Sequence, residues 1–207
     1  EILGGGETQS ASARAMCAEP KFYGAVNRVD MASSYLKRWG YTEPYGFQPH
    51  NGYITADDVR WVLEYPGCTG VYLLCHGASN YPDGIPCIAG KLDPNGDNMW
   101  RIYANTVDEI FHFVFLDACE SSATNSVHYW LDAFHIGGNG SMTAFIGWNI
   151  SVYTTVANDF CNRFWPKTNQ STLYNSLILA MKESREIYGV ECNPGFYGDV
   201  YYYGGAW

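Results

Sequence analysis

The strongest signals along the chain are two short, nearly unbroken apolar runs, Val71-Tyr-Leu-Leu-Cys75 and Phe111-His-Phe-Val-Phe-Leu116. Such runs suit strands of a parallel sheet whose two faces are both covered. A third run, Met142 to Trp148, reads as another strand, and Phe22 to Val26 as a short one. Between them the period changes. Val29, Ala32, Leu36 and Trp39 recur at helical spacing before Gly40. Thr55 precedes Asp57 and Asp58, with Val59, Val62 and Leu63 behind them, which predicts a capped helix. Val127 to Phe134, Thr154 to Phe164 and Ser171 to Tyr188 predict three more helices, and Tyr197 to Tyr203 a closing edge strand. Residues 78–100, rich in Pro and Gly, predict a hairpin followed by a loop, and 45–50 make a poor strand. Residues 1–20 have neither period and predict a mobile or processed lead, leaving 21–207 as a single domain. Strands alternating with helices define an α/β fold with a mainly parallel sheet and helices on both faces.

Composition narrows the function classes. Of 207 residues, 47% are hydrophobic and 16% charged, enough for one sizeable core. Twelve Lys and Arg against 21 Asp and Glu give a formal charge of -9, which offers no source of phosphate neutralisation and argues against a nucleic-acid partner. No apolar run approaches the ~20 residues of a membrane-spanning helix. Seven cysteines form an odd set without a Cys-x-x-Cys pair, so at least one has no partner within the chain and two or fewer disulfides are expected. The aromatic content of 16% and the absence of a leader at Glu1 fit a secreted protein whose targeting segment has been removed.

In a parallel sheet ligands bind beyond the carboxyl ends of the strands, and His76 and Cys119 both follow such ends. A thiol attacks carbonyl carbon as the thiolate, and a neighbouring imidazole can take its proton. Gly77 lets main chain approach closely, as an oxyanion-binding N–H requires. The competing reading makes both residues ordinary strand ends. Other patterns carry less. Asp93-Pro-Asn-Gly-Asp97 has calcium-loop spacing but has Asn98 where glycine is needed, and His128 with His135 lacks a third ligand, so neither metal nor cofactor is expected. No serine-hydrolase elbow, dinucleotide or P-loop motif occurs.

Val71-Tyr-Leu-Leu-Cys-His-Gly77, followed 43 positions after the histidine by the cysteine of Phe-Leu-Asp-Ala-Cys-Glu-Ser-Ser122, resembles the caspase-like cysteine peptidases. The resemblance runs from about Phe22 to Trp148. Asp-Ala-Cys-Glu-Ser is most similar to the legumain and clostripain branches and departs from the caspase signature itself. The resemblance implies a caspase-like three-layer sandwich and a peptide or protein substrate. It implies His76 as general base or acid, Cys119 as nucleophile, and Gly77 as an oxyanion donor beside the Cys119 N–H. Asp117 would line the S1 pocket, with Asp30 near the place where legumains carry a basic residue. Two acids without a balancing base favour cleavage after Arg or Lys. Asn27 resembles the asparagine that orients the histidine in legumains, and Trp148 the aromatic wall that gingipains set beside the substrate. Plainer roles remain for several of these residues: a helix cap for Asp30, a turn cap for Asp117, a core position for Trp148. Two other functions stay open, a legumain-like peptidase or transpeptidase acting at Asn, and a non-catalytic interaction module on the same fold.

Overall fold

The computed structural model describes residues 11–19, 21–42, 54–79, 84–92 and 98–204. Five strands form the central sheet in the order β1 (Ser12–Cys17), β2 (Cys68–Leu74), β6 (Phe113–Asp117), β7 (Ala144–Trp148), β8 (Pro194–Gly198). The first four run parallel and β8 returns antiparallel to β7. A second, antiparallel sheet of β3 (His76–Ala78), β4 (Cys87–Lys91) and β5 (Met99–Tyr103) branches off where β2 ends.

Helices cover both faces. Side chains of a strand alternate between its two sides, and the two apolar runs split accordingly. Tyr72, Leu74, Phe113 and Phe115 join a core with α1 (Ala25–Arg38), α4 (Thr154–Lys167) and α5 (Leu173–Tyr188). Val71, Leu73, Val114 and Leu116 join a second core with α2 (Ala56–Leu63) and α3 (Val127–Ala133). The helix expected after Thr55 forms as α2, with Thr55 and Asp58 capping each other. Trp165 of α4 is fully buried and lies against Tyr35, Trp39, Tyr72 and Phe113. The fold is therefore mixed α/β with a mainly parallel sheet between helical layers. None of its described helices is long and apolar enough to cross a membrane.

Three expectations need correction. The lead expected to be mobile over 1–20 contains β1, whose six residues are all buried. Ser-Ala-Arg-Ala-Met-Cys lacks the β-branched and aromatic residues of a recognisable strand. Its small side chains suit a strand lying directly under α1, with Ala13, Ala15 and Cys17 in one core and Met16 in the other. The strand expected at Phe22 to Val26 is a turn running into α1. Gly24 begins that helix at φ 69, a left-handed conformation, and a Cβ there would lie 2.0 Å from the Asn158 side chain. The closing strand falls on 194–198 rather than on Tyr197 to Tyr203. The weak strand at 45–50 and the calcium-like loop at 93–97 lie outside the described residues.

If β1 is an integral core strand, Met16→Ala should cost about 2–5 kcal/mol in chemical denaturation. A loss below about 0.5 kcal/mol would show that β1 does not belong to the cooperative core.

Candidate active site

The parallel register brings the chemistry together. Cys17 of β1, Leu74 of β2 and Asp117 of β6 are level across the sheet. Glu19, His76 and Cys119 each stand two residues beyond that rung, on three adjacent strand ends. A cavity of ≈ 310 Å³ opens there, lined by His76, Cys119, Cys75, Arg28 and Asp117, with Phe22 on one side and residues 152–154 and Ala157 at the start of α4 on the other.

Cys119 sits in a tight strand-to-helix turn. The next residue, Glu120, has φ 57, a conformation that non-glycine residues rarely adopt and that is held here by its surroundings. Its carboxylate accepts bonds from the Ser79 hydroxyl and N–H and from the Ser151 hydroxyl. These bonds tie the cysteine turn to the end of β3 and to the loop after β7, and the serine bonds hold the Glu120 pKa below its usual value. Ser121 donates to the Leu116 carbonyl at 2.9 Å and accepts from the Trp148 N–H at 3.1 Å. Gly77 supplies the opposite wall. A Cβ at this position would lie 2.2 Å from the Cys119 carbonyl oxygen, so glycine is what lets β3 close on the cysteine main chain.

Burial favours the neutral form of both side chains. Burial raises the Cys119 pKa, although the Val152 N–H pointing at Sγ from 3.4 Å works the other way. Burial lowers the His76 pKa below 6.5, opposed by Glu19. Among the described residues no hydrogen bond joins the imidazole to Sγ. The Phe22 ring stands edge-on against His76 with centroids 4.8 Å apart. All seven cysteines are free thiols, and of these only Cys119 is not buried.

Asp117 lies at the cavity floor with its side chain 1% exposed. One oxygen accepts from Arg28 Nη1 at 2.5 Å and from the Tyr72 hydroxyl at 2.6 Å, and the other from Trp148 Nε1 at 2.9 Å. Burial is the largest single influence on the Arg28 guanidinium and favours proton loss, but Asp117 and its neighbours hold the pKa above the ordinary value. The expectation of an acidic pocket without a balancing base is thus corrected. Arg28, itself next to Asn27 in the sequence, is the base, and among the described residues its buried Nε–H has no hydrogen-bond partner.

Three other site expectations also change. Asp30 is exposed on α1, away from the cavity, and Gly24 rather than Asp30 caps the helix. Asn27 is exposed as well, lining an open hollow at the start of α1 instead of touching His76. Trp148 is fully buried and makes no cavity wall; it orients Asp117 from beneath. The residue that does approach His76 is Glu19, which sequence reasoning missed inside the supposed lead. The only signal available was its position two residues past a strand that small side chains disguised. His128 lies against Tyr129 with the rings tilted, and His135 pairs with Asp108 at 2.6 Å. Among the described residues no three His, Cys, Asp or Glu side chains are grouped to share a metal ion. The sequence matches no protein-family model and no curated protein.

Two outcomes follow from this geometry. Arg28→Met or Asp117→Asn alone leaves a buried partner unpaired and should cost about 3–5 kcal/mol, while the double variant should lose clearly less than the sum in a denaturation cycle. The Glu120 carboxyl is held below its usual 4.5, so it binds fewer protons folded than unfolded. Its contribution to stability is complete above about pH 4.5 and fades as pH falls through the lower folded value. Glu120→Gln should flatten that acid slope in thermal melts.

Proposed function

We propose that the chain is a caspase-like cysteine peptidase that cleaves peptide bonds after a small amide-bearing residue, in the manner expected of the legumain branch. The observation that carries this reading is one cavity in which His76 and Cys119 stand above the Arg28–Asp117 pair. A neutral thiol and a neutral imidazole suit general-base attack. His76 takes the proton as Sγ bonds to the scissile carbonyl carbon, the protonated imidazole returns it to the departing amine, and water then hydrolyses the thioester. The Cys119 and Gly77 N–H groups are the candidate oxyanion donors, supported by the contact between their main chains.

The cavity floor favours a neutral, hydrogen-bonding P1 side chain over a cation. An Arg or Lys head group would meet an Asp117 already bonded to Arg28, Tyr72 and Trp148, and would bring a second positive charge beside Arg28. A neutral amide side chain instead brings no further charge to the Arg28–Asp117 pair, whose desolvated charges already balance each other. The pairing of Asp117 with Arg28 and the exposed position of Asp30 weigh against the preference for Arg or Lys.

Fluorogenic peptides differing only at P1 test this. Asn should exceed Arg and Lys by about tenfold or more in kcat/KM, and a preference for Arg or Lys would overturn the assignment of the pocket. Cys119→Ala should remove at least about three powers of ten of activity while circular dichroism stays unchanged. Absence of cleavage together with a Cys119 inert to thiol-directed probes would favour the interaction module instead.

A further inference from the structure

Glu19 is a carboxylate that takes no part in the proposed proton transfer between Cys119 and His76. It follows β1, is 2% exposed, and among the described residues neither of its oxygens has a hydrogen-bond partner. A buried acid without hydrogen bonds is costly, and nothing in the packing of β1 requires one. Its Oε2 lies 3.7 Å from His76 Nε2, longer than a hydrogen bond for a neutral ring but close for an ion pair. The ring is held in that orientation by the Phe22 edge. We propose that Glu19 is the positioning residue for His76: its buried carboxylate orients the ring through Nε2 and supplies the countercharge when His76 takes the Cys119 proton. The inference rests on the peptidase reading for its catalytic meaning.

The other charges around His76 make Glu19 the natural countercharge. Lys91, at the end of β4, opposes protonation of the ring, and burial opposes it more strongly. Arg28 and Asp117 share the cavity but are occupied with each other, and Cys75 and Cys119 are protonated thiols whose pKa values burial raises. Glu19 is therefore the group that favours the imidazolium. An arrangement kept at the cost of stability is one in which activity and folding pull apart, which a purely structural role would not produce.

Glu19→Gln keeps the shape and removes the charge. In this variant the His76 titration midpoint, followed by NMR of the ring protons, should fall. On peptide substrate the acid limb of kcat/KM should move down in parallel. The value of kcat should drop by roughly tenfold or more with KM little changed, and the melting temperature should hold or rise. Glu19→Asp retains the charge one methylene further away and should restore part of kcat and of the midpoint. It also keeps the test available if the Gln variant folds poorly. An unchanged His76 midpoint when the charge is removed would overturn the proposal. The titration reads the coupling whether or not any peptide is cleaved, so wild-type protein inactive on every peptide would sink the peptidase reading while the midpoint still decides the role of Glu19.

Discussion

Everything at the site depends on one buried carboxylate. Asp117 ends the central strand β6 and is held by Arg28 from α1, Tyr72 from β2 and Trp148 from β7, partners 89, 45 and 31 residues away in sequence. Four elements are thereby fixed at the same level of the sheet, directly beneath the cysteine. A buried ion pair is weak evidence of stability in itself, because desolvation cancels much of the attraction. Its value here is geometric. With every bond of Asp117 directed to a different element, the floor of the cavity has a single arrangement, and the Cys119 turn starts from a fixed point. The Glu120 bonds to Ser79 and Ser151 repeat the device one residue beyond Cys119.

How much of this was legible follows from which side chains carry the contacts. The strands β2 and β6 stood out because a parallel strand buried on both faces must be apolar at nearly every position, and their ends pointed to His76 and Cys119. The same logic failed for β1. A strand beneath a closely packed helix needs small side chains, and Ala and Ser leave no pattern that separates it from a glycine- and serine-rich lead. Missing β1 also hid Glu19, whose meaning comes only from sharing a register position with His76 and Cys119. Pairing was the other blind spot. The acids around the cavity could be counted from sequence, but the partner of Asp117 is one helix away, and local spacing placed Asp30 where the fold places Arg28. The helical period of α1 separates these two side chains: Arg28 turns inward and Asp30 outward.

The seven thiols show how position alone sets one of several identical groups apart. Burial raises Cys17, Cys68 and Cys192 to about 11, and Cys75 and Cys161 well above their ordinary value. Such thiols are inert fillers of a tightly packed core. Cys119 is raised too, yet it alone is partly exposed, sits on a strained turn, and has the Val152 N–H directed at its sulfur. In the proposed peptidase reaction its attack would not draw on a standing thiolate. On that proposal the thiolate forms during the reaction by transfer to His76, and that transfer places a positive charge in a half-buried ring that burial disfavours. A neutral resting pair is protected from adventitious alkylation and oxidation, but it needs a countercharge that already exists before the proton moves. A solvent-exposed acid would supply little, since water screens it. A carboxylate desolvated beside the ring supplies much more, and the cost of keeping it there falls on the stability of the fold. The same sheet edge therefore carries two opposite arrangements of a buried acid: Asp117 is bonded on both oxygens and fixes the geometry, whereas Glu19 has no hydrogen-bond partner among the described residues and, in its proposed role, meets its partner only when the imidazole takes a proton.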